Sequence, residues 1–187
     1  MSDIASISTD GVNKMNKAVD VAKEDLASIR TGRAHPSLFN KVIVDYYGAP
    51  TALNQLASVQ IPEARVAIIN PFDKGAMSSI EKALRESDLG LNPSNDGVSI
   101  RINFPQLTEE RRKEYIKLAK SKGEDAKVSI RNIRRAVKEA LEKMEKDGTI
   151  SKDDLARAEK DLEKVTGDHT SKIDDMLKHK EAELLEV

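Results

Sequence analysis

The chain has 187 residues and no cysteine, which excludes disulfides, thiolate metal sites and cysteine nucleophiles. Charged residues make up 34% of it, yet 31 Lys and Arg stand against 32 Asp and Glu; a net charge of -1 excludes a uniform polycation. Tryptophan is absent, aromatics are 3%, and no apolar run approaches the length of about 18 residues that a membrane span needs. The Met-Ser-Asp-Ile start has neither the basic nor the apolar stretch of a signal peptide, so a cytoplasmic protein is expected, with no membrane partner.

Apolar residues first recur at Val12, Met15, Val19, Ala22, Leu26 and Ile29, in steps of 3 and 4 that predict a helix with one apolar seam. Arg30-Thr31-Gly32-Arg33 then interrupts it. Residues 34–104 read differently. Val98, Ile100, Ile102 and Phe104 alternate with polar residues, the period of a strand with one wet face. Lys41 to Tyr47, Ser58 to Ile61 and Arg65 to Ile69 are rich in β-branched residues and predict further strands. Gly48-Ala49-Pro50 and Pro93-Ser94-Asn95-Asp96-Gly97 have turn chemistry. Met77, Ile80 and Leu84 share one face of a short helix that Gly90 is expected to end. In a strand, Tyr46 and Tyr47 point to opposite faces, so at least one is expected in the core and a base-stacking platform is not.

Phe104-Pro105-Gln106-Leu107 is the return crossing. Beyond it a second seam runs Tyr115, Ala119, Lys122, Ala126, Ile130, Ile133, Val137, Leu141, Met144. Thr108 is its expected N-cap and Asp147-Gly148 its stop. A third seam runs Leu155, Ala158, Leu162, Val165, His169, Ile173, Met176, Lys180, Leu184, with Ser151 and Asp154 placed to cap its start. The short turn at Gly148 makes the last two helices antiparallel neighbours. A helix over 108–147 is about 60 Å long, against about 40 Å for a compact globule of this length, so an elongated molecule is expected. The fold class is therefore α+β: an antiparallel three-helix bundle from 1–31 and 106–187, with a small β/α/β domain, 32–105, inserted. Arg30, Thr31, Gly32 and Arg33 on one crossing and Phe104, Pro105 and Gln106 on the other make either a hinge or a rigid elbow. Three seams that satisfy one another predict a monomer.

Signals of catalysis are weak. His35, His169 and His179 have no metal-ligand spacing, and phosphate-loop, dinucleotide-binding and nucleophile-elbow motifs are absent. Asp153-Asp154 and Asp174-Asp175 read as a helix start and a solvated face. No metal, cofactor or catalytic residue is assigned, and an enzyme is not expected.

One pattern stands out. Residues 108–138 hold 11 Lys/Arg against 5 Asp/Glu, a local net charge of +6, whereas 149–187 hold 7 against 11, a local net of -4. Within the basic segment, Lys113, Lys117, Lys120, Glu124, Lys127, Arg131, Arg134 and Lys138 follow at steps of 4 and 3. The stripe is offset two residues, about 200°, from the seam, and is expected to face outward over about 38 Å. Like charges stacked at these spacings cost stability unless a polyanion neutralises them, which favours contact with a nucleic-acid backbone. Arg135 flanks the stripe, and Arg111 and Arg112 lie near its start. Arg30 and Arg33 are second candidates, with bracing of backbone carbonyls as their structural alternative. A scaffold whose stripe binds an acidic protein is the competing reading.

Six blocks carry a resemblance: Ile29-Arg-Thr-Gly-Arg-Ala34, Asp45-Tyr-Tyr-Gly48, Gln55-Leu-Ala-Ser-Val59, Ser87-Asp-Leu-Gly-Leu-Asn-Pro93, Gln106-Leu-Thr-Glu-Glu-Arg-Arg112 and Arg131-Asn-Ile-Arg-Arg135. With the terminal His179-Lys-Glu-Ala-Glu-Leu-Leu-Glu-Val187, they resemble the bacterial ribosome recycling factor family across essentially the whole chain. Departures fall in the 70–78 loop and the turn near 148. The resemblance implies an L-shaped molecule that binds the post-termination ribosome and, with elongation factor G and GTP, splits it into subunits, with release of mRNA and tRNA. It implies that Arg134 contacts large-subunit rRNA, with Arg131 and Arg135 as neighbours, that Arg30 and Arg33 are the elbow arginines, and that the insert is the lever met by elongation factor G.

Overall fold

The computed structural model describes residues 3–186. The architecture is α+β, with three long helices and small antiparallel sheets. The long helices are α1 (Ile4–Ala27), α4 (Glu109–Lys146) and α5 (Lys152–Leu185). Between α1 and α4 come β1 (Ile43–Tyr46), β2 (Ala49–Ala52), α2 (Leu53–Leu56), β3 (Ala57–Glu63), β4 (Val66–Pro71), α3 (Met77–Glu86), β5 (Pro93–Asn95) and β6 (Ile100–Asn103). The chain divides into two compact units. One takes the chain up to Leu26 with Lys117–Lys180; the other takes Ala27–Ile116 with the chain from Glu181 onward.

In the first unit the seams pack as their periods require. Met15 and Ala22 of α1, Ala126 and Ile130 of α4, and Ile173 of α5 form one buried cluster. Val137, Leu141 and Ala158 form another, flanked by Ile4, Ile7, Leu155 and Leu162. Lys127 meets Asp174, Arg134 meets Glu163 and Lys138 meets Glu159, so α5 numbers rise as α4 numbers fall and the two run antiparallel. Their turn is a Schellman motif: Gly148, at φ 73°, donates to the Glu145 carbonyl and Thr149 to that of Met144. Thr108 Oγ1 accepts from the Arg111 N–H, and Ser151 and Asp154 cap each other reciprocally, as their spacing predicts.

In the second unit, β3-β4-β6-β5 form an antiparallel sheet and β1-β2 a separate hairpin. Ile100 and Ile102 of β6 are buried, Arg101 and Asn103 exposed. α3 turns Met77, Ile80 and Leu84 into a core shared with Val44, Leu53, Ile69 and Phe104.

Three local expectations are corrected. Val98 lies outside the strand and is 65% exposed, because Asp96 accepts hydrogen bonds from the Val98 and Ser99 N–H groups and holds the chain in a tight turn. Pro93-Ser94-Asn95 is a strand; it pairs with β6 alone, and an edge tolerates the missing proline donor. α3 ends at Glu86, where Ser87 Oγ donates to the Leu84 carbonyl, short of Gly90.

Candidate nucleic-acid interface

α4 is 38 residues long, so its basic side chains are held on a rod of about 57 Å. Its buried line is Ala119, Gly123, Ala126, Ile130, Val137 and Leu141. The basic stripe does not lie opposite that line. Lys127, Arg131, Arg134 and Lys138 each follow a seam residue by one position, only about 100° around the helix. Lys127, Arg134 and Lys138 flank the seam on the side facing α5. Lys120 and Glu124 likewise follow buried Ala119 and Gly123 by one position, so the expected offset of about 200° holds only for Lys113 and Lys117. Lys113, Lys117, Lys120, Arg131 and Arg135 are exposed, as is Arg111, whereas Lys127, Arg134, Lys138 and Arg112 are half-buried.

The second half of the stripe is not left without counter-charge. Lys127 pairs with Asp174, Arg134 with Glu163, and Lys138 with Glu159 and Glu142. Arg131 reaches Glu124 on its own helix, 2.6 Å away; Lys113 pairs with Glu109 and Arg111 with Glu114. Among the described residues Lys117 and Arg135 form no ion pair. An external polyanion is therefore not needed to relieve the stacked charges. What the face offers is a set of exposed ion pairs, each worth only about 0.2–1 kcal/mol, beside unpaired cations. Glu163, Glu159 and Asp174 were invisible to a helix-by-helix reading. The signal was present, however: about an antiparallel turn, the residue numbers of facing pairs add to nearly the same total.

Arg30 shows the bracing of a backbone carbonyl that was its structural alternative. It is only 7% exposed, lies over the Phe104 ring at 5.4 Å and donates through Nη2 to the Pro105 carbonyl. Burial lowers its guanidinium pKa, opposed by Tyr115 and helped by Arg111. Arg30 braces one crossing against the other within a single compact unit. Arg33, three residues on, is exposed. Gly32 has no heavy atom within 4 Å of where a Cβ would stand. Thr31 Oγ1 closes a small turn with the Arg33 N–H and carbonyl, each at 3.3 Å.

Of the tyrosines, Tyr46 packs against the core as expected, and the placement of Tyr47 is corrected. Tyr47 is not in the strand: it and Gly48 form the two-residue hairpin turn, with φ of 49° and 82°. The turn breaks the alternation, so the rings meet edge to face at 4.6 Å, with Tyr47 79% exposed. Both hydroxyls donate to Asp73 Oδ2, at 2.9 Å from Tyr46 and 3.5 Å from Tyr47. The Gly75 N–H and the Tyr46 hydroxyl hold the Asp73 carboxyl below its usual range, and the same bond raises the Tyr46 phenol.

His169 is a packing residue, 5% exposed, with Nδ1 2.7 Å from the Val165 carbonyl and Nε2 2.8 Å from Asn16 Oδ1. Among the described residues no three His, Asp or Glu side chains gather to hold a metal, and no helix is long and apolar enough to cross a membrane.

Fold and site together define a helical bundle protein with an inserted sheet and a long ionic helix face. The family profile of the ribosome recycling factor matches residues 22–185, and the chain belongs to that family. The ribosome-recycling factor of Streptomyces coelicolor is 63% identical over 174 residues, 93% of this chain and 94% of that one. The factor of Beutenbergia cavernae is 61% identical over 184 residues, 98% of this chain and 100% of that one. A solution structure of the ribosome recycling factor superposes with a TM-score of 0.79 at 36% identity over the whole of both chains. The T. thermophilus ribosome recycling factor, described with E. coli elongation factor G on the E. coli post-termination complex, superposes with a TM-score of 0.70 at 40% identity, covering 99% of this chain and 100% of that one.

Proposed function

We propose that this chain recycles ribosomes by laying the basic side of α4 on the RNA of the large subunit. It then acts with elongation factor G and GTP to part the subunits, releasing mRNA and tRNA. The observation that carries this is the row of cations along α4, in which, among the described residues, Lys117 and Arg135 form no ion pair and Arg131 and Arg134 pair with exposed carboxylates. Arg134, Arg131 and Arg135 make the central phosphate contacts, Lys113, Lys117, Lys120 and Lys127 extend them, and Arg111, Arg112 and Arg33 lie toward the elbow. The chain works as a cytoplasmic monomer and hydrolyses nothing itself; GTP hydrolysis belongs to the partner.

The insert, 32–105, is the lever on which elongation factor G acts, and Arg30-Thr31-Gly32-Arg33 with Phe104-Pro105-Gln106 is the hinge. Open space around Gly32 supports bending there. Light scattering of post-termination ribosomes, with elongation factor G and GTP, tests the function. Splitting that requires this chain is expected; intact ribosomes in the presence of folded protein and a matched partner would reject it.

A further inference from the structure

We propose that Glu159, Glu163 and Asp174 of α5 form a built-in counter-charge row that competes with RNA phosphates for Lys138, Arg134 and Lys127. The row sets how strongly this face holds RNA and so confines binding to surfaces able to displace it. The inference rests on the RNA-contact reading above.

The geometry is that of a phosphate mimic. From Glu159, Glu163 lies four residues on and Asp174 fifteen, within about 60° of one another on the helix and over about 22 Å of its length. Each faces a cation of the stripe across the antiparallel interface. The Arg134–Glu163 pair is the more open to an incoming anion, with side-chain exposure of 38% for Arg134 and 60% for Glu163, against 23% for Lys127 and 46% for Asp174. Glu163 engages the Arg134 guanidinium through Nη2 alone, so it does not use the fork that a phosphate would take bidentately. The row is also interrupted. Beside Arg131, α5 presents Gly167, where a Cβ would meet nothing within 4 Å, and Arg131 turns to Glu124 of its own helix. Unpaired Lys117 and Arg135 can make first contact, and the shielded cations are then released one by one. Replacing an exposed pair by a phosphate contact forfeits about a 1.5- to 5-fold factor in affinity per pair. Weak, partial contacts therefore lose most.

The test is binding of the full-length protein to a short RNA duplex of arbitrary sequence across a salt titration. Glu163→Gln is expected to tighten binding about 2- to 5-fold, and the triple change with Glu159→Gln and Asp174→Asn about 10-fold or more. Asp168→Asn is the control: it alters net charge equally, but from an exposed position about 140° around α5 from Glu163. Its effect is expected to be smaller than that of Glu163→Gln. In an Arg134→Ala background the gain from Glu163→Gln should vanish. Equal gains from Glu163→Gln and Asp168→Asn, or a gain that survives without Arg134, would overturn the inference while leaving the RNA reading intact. Wild-type affinity in Arg134→Ala alone would overturn the RNA reading, and this inference with it.

Discussion

Arg30 and Arg33 stand three residues apart and do unlike work. Arg30 loses a charge-assisted hydrogen bond to the Pro105 carbonyl and its packing on Phe104 if truncated. Arg30→Ala is expected to lower stability by about 1–3 kcal/mol, as seen in urea unfolding. Exposed Arg33→Ala should stay within about 0.5 kcal/mol of the parent; equal losses would remove the bracing role. Asp73 has a different signature. Its folded carboxyl is held below the ordinary value of 3.8 by the Gly75 N–H and the Tyr46 hydroxyl. The stability it adds is thus fully present above 3.8 and is lost as pH falls through its lowered folded value. Below about pH 4 the melting temperature of the parent should fall more steeply than that of Asp73→Asn. Parallel curves would show that these bonds do not stabilise the fold.

At the scale of the helix, close approach depends on residues that carry no seam signal. A Cβ on Gly11 would lie 2.6 Å from Val137 Cγ2. Val137 is β-branched and buried, so it cannot swing aside cheaply. Overpacking costs about 1–3 kcal/mol and alanine returns about 1 in helix propensity. Gly11→Ala should therefore destabilise by up to about 2 kcal/mol; a more stable variant would mean that α1 and α4 have slack between them. The ionic side of α4 is tested by Arg134→Ala. It should weaken ribosome binding and flatten the salt slope by about one unit, with little change in the melting temperature, because the arginine's internal partner is an exposed carboxylate. Unchanged binding with an unchanged melting temperature would remove Arg134 from the interface.

At the scale of the whole molecule, the two compact units do not divide at the crossings. The boundaries fall at Leu26, Ile116 and Lys180, each inside a long helix, and both crossings lie within one unit. If bending nonetheless occurs at the open glycine, Gly32→Ala should leave ribosome binding intact, slow subunit splitting and raise stability by about 0.4–1 kcal/mol. Splitting at the parental rate would place the motion elsewhere.

The amino-acid order by itself determined α1, α4 and α5, their caps, the antiparallel turn at Gly148 and the alternation of β6, because hydrophobic period and cap chemistry are local properties. It also marked α4 as the cationic element. Only the tertiary structure decided that Lys127, Arg134 and Lys138 lean on α5, that Glu163 pairs with Arg134, that Arg30 is enclosed and that Tyr47 turns to join Tyr46 at Asp73. Each of these depends on helix rotation, inter-helix register or a turn with positive φ, and such relations arise between segments that no local pattern connects.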